Sequence, residues 1–107
     1  MSQQSWKARK MQPGHDTIST MAMHYGLKPK QVGNIIKTAG VDVIRQDGFR
    51  GKLVMIRDVD MDGKRMSPVL GWSDGEPAVD FETTRLTKAA ISAVAHWKIA
   101  SSEDSAA

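Results

Sequence analysis

Between Thr17 and Val41 the chain reads TISTMAMHYGLKPKQVGNIIKTAGV, and its apolar residues fall at the spacing of two helices that bury facing sides. Met21, Ala22 and Tyr25 form the inner face of the first helix, and Val32, Ile35 and Ile36 that of the second. Asp16 or Thr17 caps the first, which ends near Tyr25. Gly26 takes the positive φ that turns the chain, Ala22 is small where the second helix approaches, and Leu27 plugs the corner. Pro29 suits the first turn of the second helix, where its missing N–H is not needed, and that helix runs to about Thr38 before Gly40 stops it.

Beyond Gly40 the period changes. Val41 to Arg45 and Leu53 to Val59 are rich in β-branched residues and partly alternate, with the turn-like QDGFRG between them. Asp60 to Gly63 supplies a second turn, and Arg65 to Trp72 runs back as a further strand. This hairpin either covers the open side of the helix pair or reaches outward to a partner. From Asp80 to about Ile99 a helical stripe returns, with Leu86, Ala90, Ala93, Val94 and Trp97 on one side and Thr83 or Thr84 as its cap. Such a stripe packs on the domain's own core or on a symmetric partner. Residues 3–12 are read as a short first helix anchored by Trp6, and the tail SSEDSAA, residues 101–107, as flexible. The fold class is therefore α+β, with residues 1–100 as a single domain.

Charge divides the chain unevenly. Residues 1–52 hold nine Lys and Arg against three Asp, net +6, and residues 53–107 hold six against nine acids, net −3, which sum to the overall +3. The half that contains the helix pair therefore carries a field that attracts phosphates. A chain of 107 residues buries one core. Zero cysteines exclude disulfides and thiol chemistry and fit a cytoplasmic setting. No apolar run approaches membrane-spanning length, and no secretory signal pattern opens the chain.

Enzymatic motifs are missing. His15, His24 and His96 are scattered, and neither a G-x-S-x-G nor a G-x-x-x-x-G-K-[ST] motif occurs. Asp58, Asp60, Asp62 and Gly63 match the first half of a calcium loop, but Val69 stands where the bidentate glutamate belongs, so a solvated turn is the better reading. No metal and no cofactor is expected.

The order Ala22, Gly26, Val32 and Ile35 resembles the helix-turn-helix family of DNA-binding proteins, over about a quarter of the chain. In that family the second helix enters the major groove, so the resemblance implies DNA contacts from Lys28, Lys30, Gln31, Asn34 and Lys37. Gly33 departs from a good helix former by on the order of 1 kcal/mol relative to Ala. Close approach to DNA is one use for it; a merely weaker helix is the other. A hairpin after the pair is the order of a winged helix, which adds Arg50, Lys52, Arg57, Lys64 and Arg65 as candidate phosphate contacts.

The resemblance implies a duplex DNA-binding homodimer, joined through the C-terminal helix, that represses transcription by occluding a promoter, in the manner of small phage or plasmid regulators. A protein–protein adaptor or inhibitor acting on a host protein stays open as the alternative. RNA is a third partner, although no aromatic stacking platform is visible.

Overall fold

In the computed structural model the described residues are 10–57, 63 and 68–106, with the backbone alone for 102–106. Among the described residues two helices, α1 (Ile18–Tyr25) and α2 (Pro29–Ala39), come first. The strands β1 (Asp42–Ile44), β2 (Arg50–Ile56), β3 (Val69–Trp72) and β4 (Arg85–Leu86) follow, and α3 (Lys88–Ala106) closes the chain. The fold is α+β, as expected: the described residues form three helices beside one antiparallel sheet in the order β3-β2-β1-β4.

The ends of the helix pair follow the local chemistry of its sequence. Thr17 is extended and its hydroxyl accepts from the Thr20 amide at 3.3 Å. Gly26 sits at φ 68° and the Leu27 amide closes back on the Ala22 carbonyl at 2.8 Å, the left-handed stop that a side chain at position 26 would strain. Ile18, Met21 and Ala22 of α1 meet Val32 and Ile36 of α2 in the core, where all five are at most 1% exposed. Tyr25, Leu27 and Ile35 pack partly buried around them.

The sheet closes the open side of this pair. Val43, Leu53, Leu70 and Trp72 point inward, in keeping with the cross-strand partners Leu53↔Trp72 and Met55↔Leu70. Because faces alternate along a strand, Asp42, Ile44, Arg50, Lys52 and Val54 belong to the opposite face. The turn between β1 and β2 is shorter than QDGFRG suggested. The Arg45 amide bonds the Phe49 carbonyl at 2.8 Å, and pairing resumes at Arg50.

Two expectations at the C-terminal end are corrected. The helix does not begin near Asp80. There the Asp80 carbonyl accepts from the Thr84 amide at 3.0 Å and the Thr84 hydroxyl at 2.7 Å, making a turn that ends in β4. Leu86 thus reaches the core from a strand, and the helix starts at Lys88. Its cap is Thr87, neither Thr83 nor Thr84: the Thr87 hydroxyl accepts from the Ala90 amide at 3.2 Å and donates to the Asp42 carbonyl at 2.6 Å. The helix α3 is assigned as far as Ala106. At the other end, Trp6 and most of the proposed first helix lie outside the described residues, and Lys10 to Gln12 are not helical.

A cation holds the sheet's turns together. The Arg45 guanidinium lies 4.6 Å from the Phe49 ring centroid and 5.3 Å from that of Trp72. It also bonds Asp47 at 2.9 Å and Asp74 at 3.1 Å, so the turn after β1 is fixed to the turn after β3. These hydrogen bonds from Arg45 hold both carboxylates below the ordinary aspartate range.

Two tests follow from these contacts. Thr87→Val keeps the shape of the side chain but removes the cap and the tie to β1, and is expected to cost about 1–2 kcal/mol in urea unfolding. Arg45→Met lowers Tm by an amount that varies with pH. Carboxylates whose folded pKa is depressed contribute fully where the unfolded groups are also ionised, above about pH 5, and lose that contribution as the pH falls through the lowered values. The deficit of the variant is therefore constant above that pH and shrinks in acid. A deficit that grows in acid contradicts this account.

Candidate nucleic-acid interface

The outer face of α2 is set by what its inner face must do. Val32 and Ile36 are fully buried, which turns Lys30, Gln31, Asn34 and Thr38 outward as exposed residues. Lys28 stands exposed immediately before the helix, and Lys37 is half-buried on its flank. From Thr17 to Val41 the chain contains no acidic residue. Among the described residues none of the three lysines pairs with a carboxylate, in contrast to Arg45 with its two aspartates. The lysine charges are therefore presented to solvent without local compensation.

Gly33 belongs to the inner side. It is buried, and a Cβ built on it would lie 2.7 Å from Leu70 Cδ2 and 3.1 Å from Phe81 Cε1. Its lack of a side chain lets α2 sit down on β3 and Phe81, so close approach to DNA is not its use. The intrinsic cost of glycine in the helix is offset by this contact with the sheet.

Helix α3 runs back along α2. The chain leaves α2 through Gly40 into Asp42, whose carbonyl is bonded by Thr87 at the start of α3, so the end of one helix meets the beginning of the other. Between them lies an open-sided groove of about 640 Å³. Ile35 and Ala39 of α2 and Ala93, His96, Trp97 and Ala100 of α3 line it, with Lys28, Lys30, Gln31 and Asn34 at its edge. A smaller cavity of about 230 Å³ opens on the other flank, where Lys30 and Asn34 face Met55, Leu70, Val79 and Phe81. Lys30 and Asn34 border both spaces and thus form a ridge between them.

The candidate contact residues do not share one surface. Lys28, Lys30, Gln31, Asn34 and Lys37 come together on α2. Arg50 and Lys52 are exposed on the sheet face turned away from the helices. There Asp42 is the cross-strand partner of Lys52 and lies 3.7 Å from Arg50, which partly compensates their charge. Arg57 is exposed just past β2, while Lys64 and Arg65, like Asp58, Asp60 and Asp62 of the calcium-loop pattern, lie outside the described residues.

The flanking role of α3 went unread in the sequence. The stripe of Leu86, Ala90, Ala93, Val94 and Trp97, expected to pack on the domain's own core or on a symmetric partner, is divided: Ala90 and Val94 are buried in the core, while Ala93 and Trp97 are half-buried and line the groove. The signal available was the run of small residues Ala89, Ala90, Ala93, Ala95 and Ala100, too many for a single buried side.

Comparison with protein-family models, curated proteins and solved structures found no match for this chain. Among the described residues, no helix is long and apolar enough to cross a membrane, and no group of three or more His, Asp or Glu could hold a metal ion.

The position of Gly33 generates a test by reversal of sign. Gly33→Ala gains about 1 kcal/mol of helix propensity but overpacks the site against Leu70, at a typical cost of about 1–3 kcal/mol, so it lowers or barely changes stability. In a Leu70→Ala background the same change is expected to stabilise, as read from a double-mutant cycle in urea. Equal effects in both backgrounds would show that Leu70 does not limit position 33.

Proposed function

We propose that this chain binds duplex DNA with the outer face of α2 in the major groove, and that it acts as a regulator of transcription, repressing by occupation of a promoter. The observation that carries the reading is the α2 surface itself: Lys28, Lys30 and Lys37, which pair with no carboxylate among the described residues, with Gln31 and Asn34 between them, on a helix braced by α1, the sheet and α3. Lysines supply phosphate contacts and the amide side chains can pair with base edges. The start of α2 has no side-chain cap, whereas the first-turn amides of α1 are all engaged, so the N-terminal dipole of α2 favours an anion there. In this reading Arg50 and Lys52 take no part.

A single helix makes few base contacts, and pairing two copies doubles the site. The C-terminal half of α3, where Ile99 is 60% exposed, is the surface that would join them. A cytoplasmic regulator also accords with a chain free of cysteine.

The test is fluorescence anisotropy of a labelled random-sequence duplex over a range of salt concentrations. The natural chain is expected to bind with a salt dependence of about 0.9 per phosphate neutralised in a log–log plot. The folded variant Lys30→Ala/Asn34→Ala/Lys37→Ala is expected to bind more weakly with a shallower slope, and Arg50→Ala/Lys52→Ala to match the natural chain. Absence of duplex affinity at low salt, or equal binding by the α2 variant, removes this function and leaves the adaptor reading.

A further inference from the structure

The groove between α2 and α3 has an apolar floor that DNA contact does not use. Its floor is apolar, formed by the half-buried Ile35, Ala93 and Trp97, while the exposed Lys28, Lys30 and His96 stand at its edge and no acidic residue lines it. A volume of about 640 Å³ falls within the range of small-ligand sites. Eleven residues line it, well short of the roughly 20–30 per side that a stable protein interface employs. Water in such a space gains little from the floor, and an apolar body with a negative end satisfies both floor and rim.

We propose that this groove binds a small amphipathic anion: an aromatic or branched apolar body seated on Trp97, Ile35 and Ala93, with one acidic group toward Lys28 and Lys30. The charge of the rim commits the ligand to an acid, and the size of the groove commits it to a small molecule. Since Lys30 and Asn34 are shared with the outer face of α2, a bound ligand occupies the surface offered to a duplex, and the two compete. That competition rests on the proposed DNA reading; the ligand site does not.

The probe is 1-anilinonaphthalene-8-sulfonate, whose emission rises in an apolar site, compared with its uncharged relative N-phenyl-1-naphthylamine. The natural chain is expected to bind the anion saturably and at least about tenfold more tightly than the neutral compound, a difference that corresponds to about 1.4 kcal/mol. Lys30→Ala should remove most of that preference. Ala93→Leu fills the floor and Ala100→Glu adds a negative charge at the exposed edge; each is expected to weaken the anion at least about tenfold, in protein shown to be folded by circular dichroism. In the anisotropy assay, saturating anion should release the duplex.

No saturable binding up to about 1 mM, the weak limit of specific affinity, overturns the proposal. So does equal binding of the neutral compound, or anion binding undiminished in both groove variants. A concentration-dependent dimer that Ala100→Glu abolishes, without anion binding, assigns the groove to a second copy instead. If the anion binds as expected but no duplex does, the site stands and the DNA reading fails; if the duplex binds and the anion does not displace it, the shared surface is wrong.

Discussion

Leu86 is the residue on which the parts of this structure converge. Its side chain is fully buried, its carbonyl accepts from the Gly14 amide at 2.8 Å, and its amide bonds the Asp16 carbonyl at 2.8 Å. The same residue pairs with Val43 of β1. Just before it, the Thr84 and Phe81 carbonyls accept from the Ile18 and Ser19 amides at 3.1 and 3.0 Å. The first turn of α1 is thereby satisfied by a distant segment together with its own Thr17 cap. Just after it, Thr87 starts α3 against β1. One stretch of seven residues, 81–87, thus fixes the first helix, the sheet and the last helix relative to each other.

This arrangement explains what could be read from the chain. The helix pair was legible almost to the residue because its signals are local: Thr17, Gly26, Pro29 and Gly40 act within one turn of their own positions. The beginning of α3 was not, because Leu86 lies four residues before Ala90 and so falls in phase with the helical stripe while belonging to a strand. Threonines at 83, 84 and 87 all have the chemistry of a cap, and only the carbonyl of Asp42 selects Thr87. A contact between residues 42 and 87 has no signature in either stretch alone.

The candidate site divides along the same line. Which side of α2 faces out follows from Val32 and Ile36, and the sequence reading placed it well. That Arg50 and Lys52 lie on the far side of the sheet follows from their alternation with the buried Gly51 and Leu53, yet it matters only once the sheet is known to cover the helices with its other face. The basic half of the chain is accordingly less concentrated in space than along the sequence. Among the described residues Arg45 is absorbed by Asp47 and Asp74 and Arg50 shares Asp42, whereas Lys28, Lys30 and Lys37 pair with no carboxylate.

The partners of Gly14 and Asp16 lie at position 86, so the helix pair is not a self-sufficient unit despite its compact spacing. On a ribosome α1 and α2 emerge long before the segment that satisfies the amides of α1. Until then they are at most fluctuating helices, too short to persist in isolation. Completion of the fold waits on closure of a long loop, the step that slows folding in chains of high contact order. The surface formed by α2 and α3 together is therefore acquired only after the segment 81–87 and α3 have emerged, and a shorter nascent chain does not yet possess it.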